Sequence, residues 1–414
     1  VIRASSRARV ARRARVAVRR KSDASRAPSD AISRRAPRRR VGPSRARATT
    51  REMFLPIDYA RALTPEAIEF VADGAADSLA FQRLRALNAA RASCAHAAAH
   101  ADADVGRRKY ERYVDVITEA EGALEALDRG EGPTARWAST LESGREARSY
   151  PAPGLAGERA FALFGLASCH RRLCARETAA RMAEGGLGDA GAASCSKNAR
   201  VAAGMFKHLQ ETVLPPLKAS LDGECVANEL TASMAEVMTL ISLGDAQGAA
   251  CRRALERGSA ANLRARLHRG ASELYRDANA VLQSRRCDWN GVDIFLTAGV
   301  LVAWKTHEAE AFLAHAEARR AADECGEVIA ACRRAEEAVR DCAQASGEIV
   351  SWATYHGELA SRVAALAAKA VKENEVVFFQ KIPSPGAPLP EAAVVVGPIE
   401  YVPSEPSKHT FFQG

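Results

Sequence analysis

Residues 205–250 read MFKHLQETVLPPLKASLDGECVANELTASMAEVMTLISLGDAQGAA, and their reading decides the fold. Proline removes a backbone donor and restricts the residue before it, so Pro215-Pro216 predicts the end of one helix. A short polar turn then leads to a second helix that restarts near Asp222–Glu224. At about 100° per residue, Val226, Leu230, Met234, Val237 and Ile241 form one narrow apolar stripe, which is most simply core. Leu240 lies about 80° to one side of that stripe and Leu243 about 140° away. Two readings stay open for them. Neighbouring helices bury them, or together with Phe206, Leu209 and Val213 they line an apolar groove for a partner helix. No nucleophile and base are paired anywhere in the stretch, so function has to be argued as binding.

The rest of the 414 residues extends this αα unit into a helical array. An apolar fraction of 47% and a charged fraction of 26% fit a soluble globular chain. Aromatics at only 6%, with abundant alanine, favour closely packed helices over a sheet-based core. Helices are predicted at about 65–103, 107–129, 155–184, 191–214, 223–250, 251–285, 289–322, 324–343 and 346–374. Thr64-Pro65-Glu66 has the form of a helix start, with threonine as cap and proline in the first turn. Between 130 and 154 the pattern breaks into Gly130, Gly132, Pro133, Pro151 and Pro153 around Trp137 and Tyr150, which predicts an inserted loop or hairpin. After Asn374, Val376–Phe379 and Val394–Val396 favour extended structure between prolines 383, 385, 388 and 390. The expected fold class is therefore mostly α: an elongated, curved helical array with a tetratricopeptide-like centre. Short extended or β segments are expected near 130–154 and 376–400.

Charge is segregated. Residues 1–51 hold seventeen arginines and Lys21 against Asp23 and Asp30, a net +16, and the remainder carries −7. The sequence pI near 9.1 thus belongs to a leader (residues 1–52), and no nucleic-acid surface is expected on the folded body. This Arg- and Ser-rich leader cannot form a core. It reads as an organelle transit peptide, as a misassigned start before Met53, or as a basic arm for RNA or anionic lipid. No apolar run is long enough to span a bilayer, so any membrane contact is peripheral. The C-terminus has no cysteine four from its end, and no prenyl anchor is expected.

Chemistry finds no foothold in the motifs. There is no P-loop, GxGxxG, HExxH or GxSxG, and Glu184–Asp189 is glycine-rich without a phosphate-binding lysine. The ten cysteines include no CxxC pair and read as small buried thiols. Cys169, His170 and Cys174 are the nearest approach to a metal set, and they lack a second half. No catalytic residue, metal or cofactor is expected. Arg252-Arg253, Arg264–Arg269 and Arg285-Arg286 read as solvated faces, or as a patch for anionic membrane.

Five colinear blocks carry a resemblance. Phe206–Leu214 with the Pro-Pro-Leu turn and Thr239–Gln247 resemble the Bro (Bro-one) domain of Alix-type endosomal scaffolds, where "F-x-H-[IL]-x-E-T-V-L" precedes "L-I-M-L-A-Q-A-Q-E". Glu158–Ala167 looks like "E-K-A-x-V-L-F-N-L-G-A", and Ala309–Arg340 is similar to the family's long hairpin. Lys372–Pro383 looks like "K-x-x-N-D-F-I-Y-x-x-x-V-P". The usual "A-Q-A-Q-E" is Gly244-Asp-Ala-Gln-Gly248 in this chain. The resemblance implies a Bro-like domain over 53–405 with a flexible tail at 406–414, and a Bro-domain-only member. It further implies a non-enzymatic adaptor whose groove takes the amphipathic C-terminal helix of an ESCRT-III-like subunit, in endosomal sorting and membrane remodelling. On that reading the protein is cytoplasmic or endosomal. The alternative is a tetratricopeptide-like adaptor imported into a plastid or mitochondrion.

Overall fold

The computed structural model describes residues 64–65, 79–98, 102–121, 135–142, 148–221, 226–345, 350–386 and 388–404. The leader (1–52) and the segment 406–414 lie outside the described residues. The description below concerns the compact unit Thr49–Gly414.

The helices are α1 (Leu79–Ala98), α2 (Ala103–Ala120), α3 (Gly154–Ala183), α4 (Gly188–His208) and α5 (Leu214–Leu221). They continue as α6 (Ala232–Glu256), α7 (Ala261–Ser284), α8 (Ile294–Arg320), α9 (Cys325–Ala345) and α10 (Val350–Glu373). Starts are set by side chains that satisfy orphan amides. Asp102 accepts from Asp104 N at 2.9 Å, Thr231 from Met234 N at 3.3 Å and Asp293 from Phe295 N at 2.7 Å. The α6–α7 turn passes through Gly258 at φ +65°, a left-handed position that glycine occupies without strain. The glycine-rich loop 184–188 joins α3 to α4, and Glu256 accepts from Leu187 N and Gly188 N at 2.8 Å each.

Each long helix packs mainly on the next: α1 on α2, α2 on α3, α3 on α4, α4 on α6, and then α6 through α10 in order. That nearest-neighbour stacking is the tetratricopeptide-like organisation expected from the sequence. Alanine and glycine bring the backbones close. Ala160, Ala162, Ala199, Ala203, Ala246 and Ala249 are all buried. A Cβ at Gly244 would lie 2.6 Å from the Tyr275 ring, which is why α7 can lie so near α6.

The hairpin region holds a small antiparallel sheet, β1 (Thr64–Pro65), β2 (Ala135–Ala138) and β3 (Ser149–Ala152), in the order β1-β2-β3. Its register places Trp137 opposite both Pro65 and Tyr150. Trp137 is fully buried, stacks on Phe161 of α3 at 5.5 Å and donates from Nε1 to Glu158 at 2.8 Å.

Four expectations are corrected. Thr64-Pro65 is an edge strand, not a helix cap, a position where proline's missing donor costs nothing. The Pro215-Pro216 pair does not end its helix. A π turn over Leu209–Val213 widens the backbone, with Leu214 N bonded to Leu209 O, and α5 continues to Leu221 with both prolines in its first turn. The boundary expected at 250/251 falls later, at Arg257–Ala260. Val376–Phe378 belong to a π turn (Asn374–Phe378), not to an extended segment. There Asn374 grips Gln380 through two bonds of 2.9 Å, and Phe379 turns the chain at φ +50°.

Between Phe379 and Ser404 the described residues carry no regular structure and run as a strap over the helices. It returns from the α9 end of the stack to α2, where Ser404 donates to Asp115 at 2.7 Å.

Candidate partner-binding surface

The sequence pointed to five apolar residues around α4 and α6, and the structure divides them. Phe206 and Leu209 are fully buried and Val213 nearly so. Phe206 meets Phe164 of α3 edge-on at 5.1 Å, inside the largest apolar cluster. These three line no open groove: they are packed in the largest apolar cluster, with α3 and α6 against them. Leu240 and Leu243 are half-buried on α6, and Leu240 leans against the same cluster. Of the expected stripe, Leu230, Met234, Val237 and Ile241 are core and Val226 is half-buried; Val226 and Leu230 precede α6, which starts at Ala232 after a 3-10 turn and not near Asp222–Glu224.

Leu240, Leu243 and Gln247 share one face of α6, being three and seven residues apart. Gln247 is sealed by the strap. Its Nε2 donates to Ala393 O at 2.7 Å and to Leu267 O at 3.1 Å, and its Oε1 accepts from Val395 N at 3.0 Å. The strap is fastened on either side of this point. Arg200 donates to Gly397 O at 2.8 Å and its carbonyl accepts from Ile399 N. Arg269 donates to Leu389 O and Pro390 O, and Arg266 to Glu391 O. Gly204 and Gly270 admit the strap backbone, since a Cβ at Gly204 would lie 1.7 Å from Ile399 O. The basic run Arg264–Arg269 is therefore engaged in holding the chain's own C-terminal segment and Glu317, at 2.6 Å from Arg264. Val394 and Val395, on the strap beside Gln247, are exposed apolar side chains.

Buried polar locks hold α6 in place beneath this face. Arg171 of α3 pairs with Asp245 at 2.8 Å and donates to Ser242 at 2.9 Å, and Tyr275 of α7 donates to Asp245 at 2.6 Å. Burial, then the Asp245 charge, pushes the Tyr275 phenol well above its ordinary value. Glu229, in the turn before α6, accepts from Thr140 N at 2.7 Å and Ser139 Oγ at 2.9 Å, which ties the hairpin to α6. Burial raises the Glu229 carboxyl and these donors oppose that shift. The sequence singled out Gly244-Asp245 only as a departure from a pattern. The structure shows both packed against Tyr275.

Cys169, His170 and Cys174 do not converge on one point: His170 Nδ1 faces Asn198 at 3.0 Å, whereas Cys174 accompanies Cys195. None of the described cysteines forms a disulfide, and all are buried except Cys287. No described helix is long and apolar enough to cross a membrane.

Comparison with known proteins follows the same outline. The human and mouse BRO1 domain-containing proteins BROX are 26% and 27% identical over 228 and 233 residues. Each alignment covers 50% of this chain and 52% of the relative, so the match spans about half the length of the curated relatives. Among solved structures, ALIX in complex with the SIVmac239 PYKEVTEDL late domain superposes with a TM-score of 0.68 at 17% identity, over 86% of this chain and 50% of that one. The ALIX BRO1–CHMP4C complex gives 0.66 at 17% identity, over 84% and 96%. A Bro1 domain structure described as a basis for endosomal targeting gives 0.60 at 13% identity, over 84% and 94%. The BRO1-like domain matches residues 63–413, nearly the whole described unit, and the chain belongs to that family.

Proposed function

We propose that this protein is a non-enzymatic scaffold that binds the amphipathic C-terminal helix of an ESCRT-III-like subunit, in endosomal sorting or membrane remodelling on the cytoplasmic side. The observation that carries the reading is the fold match along 84% of the chain to a BRO1 domain solved with CHMP4C. The half-buried Leu240 and Leu243, on rigid α6 beside the strap, supply an apolar face of the kind such a helix needs. Phe206, Leu209 and Val213 support that face from below without touching a ligand.

Binding of a labelled ESCRT-III C-terminal helix, followed by fluorescence polarisation, tests this. Leu243→Asp is expected to weaken affinity at least about tenfold while the melting temperature stays near that of the parent. Phe206→Ala is the contrasting control, costing about 3–5 kcal/mol of stability as a core truncation. Unchanged affinity in both Leu240→Asp and Leu243→Asp, with the fold intact, would discard this face as the docking site.

A further inference from the structure

Cys251 of α6, His268 of α7 and His307 of α8 bring one donor atom each to a common point, all within 4.8 Å of one another. We propose that they form a binding site for a zinc(II) ion that staples these three consecutive helices.

The two imidazoles meet Nδ1 to Nδ1 at 3.0 Å, with ring centroids 5.2 Å apart. Tetrahedral zinc with bonds of about 2.0–2.1 Å to nitrogen separates two such atoms by roughly 3.3 Å, so the imidazole pair needs to open by only a few tenths of an ångström, with Cys251 closing in from within 4.8 Å. One cysteine and two histidines match zinc's preference for mixed sulfur and nitrogen donors, with the fourth place left for water. Cys251 and His307 are buried, whereas His268 is partly exposed and gives the site its route to solvent.

The surroundings fix the ligands. Tyr275 stacks on His307 at 5.7 Å with the rings 10° apart, and the Tyr275 hydroxyl is in turn held by Asp245. Arg264 and Arg362 bear on His268 and oppose a bare dication, while Glu310 beside His307 acts the other way. On binding, the Cys251 thiol releases its proton to solvent and the thiolate supplies the compensating negative charge.

No sequence motif announces the site. Its ligands lie 17 and 39 residues apart on separate helices, so only the stacking of α6, α7 and α8 assembles them.

The full chain, stripped with chelator and titrated with cobalt(II) as a spectroscopic stand-in for zinc, tests the proposal. One equivalent is expected to give tetrahedral d–d bands and a thiolate-to-cobalt charge-transfer band that one equivalent of zinc abolishes. Cys251→Ser should remove the charge-transfer band. His268→Gln, at the partly exposed position, should lower zinc affinity by more than the roughly 10- to 100-fold that outer-shell changes cost. Circular dichroism checks that each variant remains helical, and His268→Gln decides alone if Cys251→Ser fails to fold. Absence of tetrahedral bands in the parent overturns the site, as does an unchanged charge-transfer band in folded Cys251→Ser or unchanged zinc affinity in His268→Gln.

Discussion

Glu158 shows at the scale of one residue how this fold holds a buried charge. Arg91 Nε reaches it at 3.1 Å and Trp137 Nε1 at 2.8 Å, the Tyr113 hydroxyl donates to it as well, and the Arg91 and Glu158 side chains are at most 2% exposed. Removing one member of a buried pair leaves the other charge uncompensated. Glu158→Ala should therefore cost about 3–5 kcal/mol in urea unfolding, whereas the double change Arg91→Met, Glu158→Leu should recover most of it. A loss below about 1 kcal/mol in the single variant would show that water replaces the carboxylate. Asp189 is the surface counterpart. Arg257, then Arg253, hold its carboxyl down to about 2. Its unfolded value is near 3.9, so the folded state gains from this pair above that value and loses the gain as pH falls towards 2. Thermal melts of parent and Asp189→Asn should converge across that interval, and a constant gap would exclude the linkage.

At the scale of elements, the long helices and the hairpin were legible in the sequence, and the strap's role was not. The sequence located α3, α8 and α9 to within about five residues, because long runs of helix-forming residues are bounded by the breakers Pro153, Gly185 and Gly186 and by the cap Asp293. The π turn was hidden: nothing in Leu209–Val213 distinguishes a widened helix from an ordinary one until the two prolines must be accommodated. The burial of three of the five expected groove residues was hidden for a related reason. Spacing ranks residues by angle around a helix, and Phe206, Leu209 and Val213 share an angle with core and ligand faces alike until the neighbours are known. That the strap lies extended against the helices was legible, but its anchor points were not, because they are mostly backbone groups, which have no letter in the sequence. Its partners do have letters. Gly204→Ala would push a methyl into Ile399 O, so residues 388–404 should be cut faster by limited proteolysis, while the α3–α6 stack stays resistant. Equal cleavage rates would mean that the strap yields locally.

For the unit as a whole, linear stacking makes stability a sum of neighbour contacts, with the strap as the one element that spans many repeats. Truncation after Gly386 removes the lids of Gln247 and of the Val396 and Ala393 contacts on α4, α6 and α7. Such a chain should melt earlier and in a broader transition than the parent, the helical signal at low temperature being preserved. A single sharp transition at the parent's temperature would show that the stack needs no tie.

That tie also sets a timetable for synthesis. The bond from Ser404 to Asp115 joins residues 289 apart, so a ribosome has delivered α2 long before the chain that closes over it exists. Until residues 393–399 emerge, Gln247's bonds to Ala393 and Val395 and the glycine-lined channel are unfilled. A nascent-chain-binding chaperone thus has a built-in window in which to act, and it closes only once those residues have emerged.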